Sequence, residues 1–215
     1  MKIALINEDS QANKNQLIYD TLNKVAKSYN HTVYNYGMYD KNNTNEINYT
    51  QIGIIASILI ATEAADFIVT GCGTGQGAMM SCNAFSNLTC GYVKSPIDVY
   101  LISHINSANV ISLPYAQEFG WGSEVILEQV FNELFKEDFG LGYPKMYAKE
   151  EAISRVKMYT DIKQKAQYPV LMALKNFDKA YLNKLLNYPE FKKLFFENAK
   201  RDNEITKYIK ELIKD

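Results

Sequence analysis

The residues "TGCGTGQGAMM" place a thiol, Cys72, among glycines that stand at every second position from Gly71 to Gly77. Glycine inside a helix or strand costs about 0.5–1 kcal/mol relative to alanine, so this run needs a physical reason. Successive peptide N–H groups in a glycine turn that opens a helix stabilise negative charge, including that of a thiolate. A thiolate beside such groups can attack a carbonyl group or move a proton on the neighbouring carbon.

The same loop has other interpretations. Residues 73–78 fit the G-x-G-x-x-A pattern of dinucleotide-binding loops, but they follow the third predicted strand, and Lys94 rather than an acid ends the fourth. Acyl transfer would need a histidine base near the thiol, and His104 is the only plausible candidate in the sequence. The remaining interpretation is that Cys72 is a buried cysteine in a tight turn and has no chemical role.

The elements around the loop alternate between strand and helix patterns, which is typical of an open parallel α/β sheet. The apolar runs predict strands over residues 2–7, 31–37, 66–71, 88–94 and 109–114. The amphipathic and apolar patterns predict helices over residues 13–29, 49–65, 96–106 and 122–136, with a polar loop over 38–48. Ligands of such sheets bind beyond the carboxyl ends of the strands, so we expect the glycine loop to converge there with the other loops that follow strands.

The chain is predicted to have two parts. Residues 1–140 form a three-layer α/β/α Rossmann-like domain with a five-stranded parallel sheet, and residues 141–215 form a helical C-terminal extension. The apolar helix over 49–65 is expected to pack between the sheet and a partner, which favours at least a dimer.

Charge divides unevenly along the chain. Residues 1–144 hold 7 lysines against 14 acids, a net charge of −7, whereas residues 145–215 hold 16 cations against 10 acids, a net charge of +6. A basic tail could bind nucleic acid or an anionic membrane. Its interleaved acids favour packing on the acidic part of this chain or of a neighbouring subunit, so we predict no nucleic-acid or membrane partner.

The composition is 47% apolar and 22% charged, which is typical of a soluble globular protein. No signal peptide is visible, and the longest apolar run, residues 52–62, is half the ~20 residues of a membrane helix. Three cysteines, an odd number, indicate reduced thiols and a cytoplasmic location, and Cys82 and Cys90 are expected in the core. Two histidines and no zinc spacing predict no metal.

The segments "KIALINED", "DFIVTGCGTGQGAMMSCN" and "SHINSANVISL" together resemble the ribose-5-phosphate isomerase B and galactose-6-phosphate isomerase family of aldose–ketose isomerases. The resemblance covers about residues 1–140. It implies that Cys72 is the base that moves a proton between C1 and C2 through a cis-enediolate, without a cofactor, and that Thr74 helps to position a substrate hydroxyl. It also implies a homodimer or homotetramer with the site near a subunit interface. The anion hole for the enediolate would consist of Gly73, Thr74, Gly75, Gln76 and Gly77.

The sequence matches the family's "HNDAN" stretch in part and departs from its pattern elsewhere. Asn106 and Asn109 correspond to the two asparagines, but Ile105 replaces the histidine associated with ring opening. Glu8 and Asp9 replace the family's Asp-His pair after the first strand. These two acids stand where they would contact hydroxyls or relay a second proton; as solvated loop acids they would have no role.

The arginines that hold the substrate phosphate in the family have no counterpart, since the first arginine of this chain is Arg155. Arginine is the usual bidentate partner of phosphate, so its loss indicates an open-chain substrate with a weaker anionic group. The opening "INEDSQA" and the added C-terminal region resemble longer members that isomerise 4-deoxy-L-threo-5-hexosulose uronate. We therefore predict such a uronate, with Arg155 as one candidate for its carboxylate. The alternatives are a pentose or hexose phosphate isomerase, a non-catalytic partner subunit and a nucleotide-binding module.

Overall fold

The computed structural model describes residues 1–39, 47–117, 119–146 and 149–214. Within them, the strands are β1 (Lys2–Asn7), β2 (Thr32–Asn35), β3 (Phe67–Cys72), β4 (Cys90–Tyr92) and β5 (Val110–Pro114). The helices of the first part are α1 (Asn15–Ser28), α2 (Ile52–Ala61), α3 (Gln76–Asn83), α4 (Pro96–Asn106) and α5 (Ser123–Phe135). The later helices are α6 (Lys149–Ala166), α7 (Val170–Asn176), α8 (Lys179–Leu186), α9 (Pro189–Asn198) and α10 (Glu204–Leu212). Most of the predicted loop over 38–48 lies outside the described residues.

The five strands form one parallel sheet in the order β2-β1-β3-β5-β4. From β1 the chain goes to β2 on one side and, after α2, to β3 on the other, so the strand order reverses between β1 and β3. Here Asn7, the last residue of β1, pairs with Gly71 of β3, and Cys72 pairs with Pro114 of β5. The crevice at such a reversal is the usual ligand site of an open α/β sheet.

Alternate residues of the strands face two separate apolar cores, which gives the three layers that the sequence predicts. Ile3 and Leu5 of β1 lie in one core with side chains of α1 and α5. Ala4 and Ile6 lie in the other core with side chains of α2 and α3. Both faces of the sheet are therefore buried, which accounts for nearly continuous apolar strands such as residues 67–69.

The C-terminal extension is helical, as predicted, and it covers α2. Leu174 of α7, Leu182 of α8, Phe191 of α9 and Ile209 of α10 are buried in the same core as the residues of α2. The expectation that this apolar helix packs against a partner is therefore wrong: its second apolar face is buried by helices of its own chain. The reason is a contact between segments more than 100 residues apart, which local periodicity does not reveal.

Two predicted helices are shorter than expected. α2 spans Ile52–Ala61 instead of 49–65 because Asn48 closes a turn over Thr50, and Glu63 takes a left-handed conformation with φ of 54°. The segment from Asp9 to Lys14 forms a 3₁₀ helix before α1, and the Glu8 side chain caps it by accepting from the amide of Ser10. These turns leave Tyr49 and Thr50 outside regular α-helix, and Ser10 lies within the 3₁₀ helix.

Candidate active site

The glycine loop between β3 and α3 makes a sharp turn at Gly75. This residue has a φ of 73° and caps the N-terminus of α3, and its amide donates to the carbonyl oxygen of Cys72 over 3.2 Å. A Cβ at Gly75 would lie 2.9 Å from the carbonyl carbon of Leu113, so β5 also excludes a side chain there. The Ser112 hydroxyl donates to the Gly75 carbonyl oxygen over 2.6 Å and holds the turn against the sheet. Gly75 therefore shapes the loop through its backbone and does not itself line the cleft described below.

Several backbone donors of this loop are not used by the fold. In the described part of the chain, the amide N–H groups of Gly73, Thr74 and Gln76 donate to no acceptor. Gln76 begins α3, and the first N–H groups of a helix have no partner within the helix. Together with the helix dipole, such groups stabilise an anion placed beside them. The loop therefore has the chemistry of an oxyanion hole.

The thiol of Cys72 stands at the base of this loop. Cys72 is the last residue of β3 and is 5% exposed, and its Sγ lies 4.0 Å from the Thr74 hydroxyl. The residue lines a cleft of about 750 Å³ at the carboxyl end of the sheet. Of the residues that the sequence assigns to the site, the cleft brings together Cys72, Glu8, Gly73, Thr74, Gln76 and Gly77.

Other residues of the cleft were missed by sequence reasoning. One is signalled by the spacing from Gln76, because Met80 follows it by four residues on the same face of α3, whereas Ser81, which also lines the cleft, does not have this spacing. Tyr49 and Thr50 also line the cleft, and Asn48, a typical turn residue, marked the turn that frees them from α2. A Cβ at Gly77 would lie 2.6 Å from the Tyr49 ring, so this glycine lets the ring close one side of the cleft.

Glu8 brings a buried carboxyl group to the cleft. Its side chain is 2% exposed and follows β1 directly. Burial and the hydrogen bond with Asp9 raise the pKa of Glu8 to about 7, although hydrogen bonds from Ser10 act in the opposite direction. Asp9 is half-buried, accepts from the Ser10 amide over 2.8 Å and does not line the cleft. Of the two acids, only Glu8 lines the cleft.

Three other predicted site residues do not line the cleft of their own chain. Asn109 precedes β5, at the amino end of the strands, whereas the cleft lies at their carboxyl end. The five residue steps from Asn109 to Pro114 span about 16 Å. The Oδ1 atom of Asn109 accepts a hydrogen bond from the backbone amide of Thr89, and its Nδ2 donates to the carbonyl oxygen of Asn87. Asn109 therefore has a structural role there. Asn106 is exposed at the end of α4, and Arg155 is exposed on α6, where it pairs with Glu151 over 3.1 Å.

The charged groups of the cleft are few. Its lining within the described residues includes no lysine, arginine or histidine. His104 instead lies on α4, 3.6 Å from a carboxylate oxygen of Glu137, and burial lowers its pKa. Without a histidine beside Cys72, the Ser/Cys–His arrangement of acyl transfer is missing from the described chain. No group of three or more potential metal ligands occurs among the described residues.

The other two cysteines, Cys82 and Cys90, are buried, as expected. The ammonium group of Lys163 on α6 is also buried and donates to the carbonyl oxygen of Leu88, which ties this helix to the start of β4. Burial lowers the pKa of Lys163 and raises that of Cys90.

Among the described residues, no helix is both long and apolar enough to span a bilayer.

A doubly wound parallel sheet with a thiol and unpaired loop N–H groups at its reversal point has the arrangement of an α/β ligand site that can hold an anion. The family model described as Ribose/Galactose Isomerase matches residues 3–159. The chain belongs to this family and is a sugar isomerase. No curated protein matches it significantly.

Two solved structures are similar to the whole chain. A 4-deoxy-L-threo-5-hexosulose-uronate ketol-isomerase, complexed with a tartrate, is 41% identical, with a TM-score of 0.94 and 99% of each chain covered. A ribose-5-phosphate isomerase from Vibrio parahaemolyticus is 38% identical, with a TM-score of 0.92 and the same coverage. The ribose 5-phosphate isomerase of Thermotoga maritima is 18% identical over 74% of this chain and 97% of its own, with a TM-score of 0.57, and shares the fold.

Proposed function

We propose that this chain interconverts an aldose and a ketose form of an open-chain, non-phosphorylated uronate through a cis-enediolate. The observation that carries the proposal is the position of Cys72 in a cleft beside loop N–H groups that the fold leaves without acceptors. The thiolate takes the proton from C2 of the aldose, and the electron pair of that C–H bond forms the C1–C2 double bond. The negative charge moves to the oxygen on C1, where the loop stabilises it. Transfer of the hydroxyl proton from the oxygen on C2 to the oxygen on C1, formation of the carbonyl bond at C2 and return of the first proton to C1 complete the ketose.

The substrate class follows from the charges of the cleft. A phosphate group is usually held by arginine or lysine, and the described lining contains neither. A carboxylate carries less charge and can be held by backbone amides and hydroxyls, such as the amide and hydroxyl of Thr74. The similar uronate ketol-isomerase was solved with a tartrate, a hydroxylated dicarboxylate. We propose 4-deoxy-L-threo-5-hexosulose uronate as the substrate.

The second candidate is ribose 5-phosphate, favoured by the name of the 38% identical protein from Vibrio parahaemolyticus. It would require a phosphate-binding cation from outside the described lining of one chain. We also propose that the chain acts as a homodimer or homotetramer. Asn106 and Arg155 are exposed and do not line the cleft of their own chain, so we propose that they contribute to catalysis only if they approach the cleft of a partner.

The test compares isomerisation of the uronate and of ribose 5-phosphate by wild type, Cys72→Ala and Cys82→Ala. Cys82 is a buried cysteine outside the cleft and serves as the matched control. We expect turnover of the uronate, lowered about 10²–10⁴-fold by Cys72→Ala and little changed by Cys82→Ala. Turnover of ribose 5-phosphate alone would establish the second candidate, and an active Cys72→Ala variant would overturn the mechanism.

A further inference from the structure

Four side chains after β1 form one hydrogen-bonded chain that ends in the cleft. The Lys14 ammonium donates to Oε1 of Gln11 over 2.7 Å, and Nε2 of Gln11 donates to the Ser10 hydroxyl over 2.9 Å. The Ser10 hydroxyl donates to Oε1 of Glu8 over 2.5 Å. Every donor points from Lys14 towards Glu8, so each bond polarises the next and directs positive charge towards the carboxyl group.

This series of hydrogen bonds from Lys14 to Glu8 is held in place at both of its ends. The amide of Ser10 donates to the second carboxyl oxygen of Glu8 over 3.0 Å, so both oxygens are held. At the other end, the Lys14 ammonium also donates to the carbonyl oxygen of Tyr115 and lies 4.8 Å from the centre of the Phe119 ring. The carboxyl group of Glu8 therefore has one defined orientation, set by the segment that follows β5.

A held carboxylate still has capacity for a substrate. Its two oxygens can take part in about four hydrogen bonds; Ser10 supplies two and the hydrogen bond with Asp9 is a third, which leaves one position for a substrate. Glu8 is the only carboxyl group that lines the cleft within the described residues. Its pKa of about 7 suits both acceptance and release of a proton near neutral pH.

We propose that Glu8 is the second proton-transfer residue, which carries the hydroxyl proton between the two oxygens of the enediolate. The inference rests on the proposed function, because it assigns the step that Cys72 does not perform. Once Cys72 has taken the proton from C2, the oxygen on C1 is an anion and the oxygen on C2 still carries its hydrogen. The Glu8 carboxylate takes that hydrogen as a proton and delivers it to the oxygen on C1. The carbonyl bond then forms at C2, the C1–C2 double bond takes the proton from the Cys72 thiol, and Glu8 returns to the carboxylate.

This division of work has a measurable consequence. Cys72 alone can exchange the carbon-bound proton of the substrate with solvent, because the enediolate can return to the starting sugar. Completion of the isomerisation additionally needs Glu8. Exchange and isomerisation should therefore separate in a variant that lacks the carboxylate, but not in one that lacks the thiol.

The experiment incubates the uronate in D₂O with wild type, Glu8→Gln, Cys72→Ala and Glu128→Gln. It follows product formation and deuterium in the recovered substrate by NMR. We expect Glu8→Gln to lower isomerisation about 10²–10³-fold and to retain deuterium exchange within about 3-fold of wild type. Cys72→Ala should lose both. Glu128 pairs with Lys24 far from the cleft, so Glu128→Gln should retain both.

Two results would overturn the role of Glu8: isomerisation by Glu8→Gln within about 3-fold of wild type, or a parallel loss of exchange and isomerisation. Wild type that neither exchanges nor isomerises any offered sugar acid or sugar phosphate would instead remove the proposed function, and with it this role. Should Glu8→Gln not fold, Ser10→Ala provides the same comparison. It removes one donor to the carboxyl group and should lower isomerisation more than exchange.

Discussion

Cys72 belongs to a strand that is buried on both faces, and a thiol there has access to a ligand only if the chain leaves the sheet at once. The left-handed turn at Gly75 makes this possible, because it ends the strand and begins α3 within three residues. The two neighbouring loop glycines have different requirements. A Cβ at Gly73 would meet no atom closer than 3.6 Å, whereas one at Gly75 would meet backbone at 2.9 Å.

Gly75→Ala should therefore lower the free energy of unfolding by about 1–3 kcal/mol, from the strained φ and the contact with β5. Gly73→Ala adds the same methyl group where there is room, so it should change the free energy by less than about 1 kcal/mol. Urea denaturation followed by circular dichroism measures both. Equal destabilisation by the two variants would show that the turn at Gly75 has no special conformational requirement.

At the scale of the elements, the helical extension completes the burial of α2. Nearly every residue of α2 is buried, although the sheet and α3 cover only part of its surface. The extension supplies the rest, with Phe191 and Phe195 of α9 stacked at a centroid distance of 5.3 Å and fully buried. Tyr36, just after β2, lies 6.2 Å from the Phe191 ring. The extension is thus part of the core beneath the cleft.

A pair of adjacent phenylalanines tests this role. Phe195→Ala should lower the free energy of unfolding by about 3–5 kcal/mol, because it opens a cavity in the core shared with α2. Phe196 is 44% exposed, so Phe196→Ala should cost about 1 kcal/mol or less. Chemical denaturation of both variants gives the difference. Similar values would mean that α9 packs too loosely to support the core.

Over the whole molecule, the first part of the chain is acidic and the extension is basic, and not every predicted site residue lies at the cleft. The basic extension lies on the acidic part of its own chain, where Arg201 pairs with Glu63 over 3.7 Å. Asn106, matched to a family asparagine by its motif, lies at the end of α4, away from the cleft of the same chain. A symmetric dimer could bring this end of one copy to the cleft of the other.

Dimers formed from two different variant chains test whether the cleft of one copy uses Asn106 of the other. Cys72→Ala and Asn106→Ala should each be poorly active alone, because each spoils every site of a homodimer. After unfolding and refolding together in equal amounts, they should regain about a quarter of the wild-type sites, since half of the dimers carry one intact site. Sedimentation analysis gives the oligomeric state. A full-activity Asn106→Ala variant, or a mixture no more active than its components, would contradict a shared site.

The sequence by itself determined the parallel α/β sheet, the helical extension and the convergence of the loops at residues 8 and 72–77. These depend on apolar periodicity and on glycine, which act over a few residues. Only the tertiary structure decided that α2 is covered by its own chain, that Tyr49 and Ser81 line the cleft, and that Asn109 has a structural role. The hydrogen-bonded chain from Lys14 to Glu8 also became visible only there. The physical reason is that such contacts join segments far apart in sequence or depend on side-chain orientation, and neither leaves a periodic pattern.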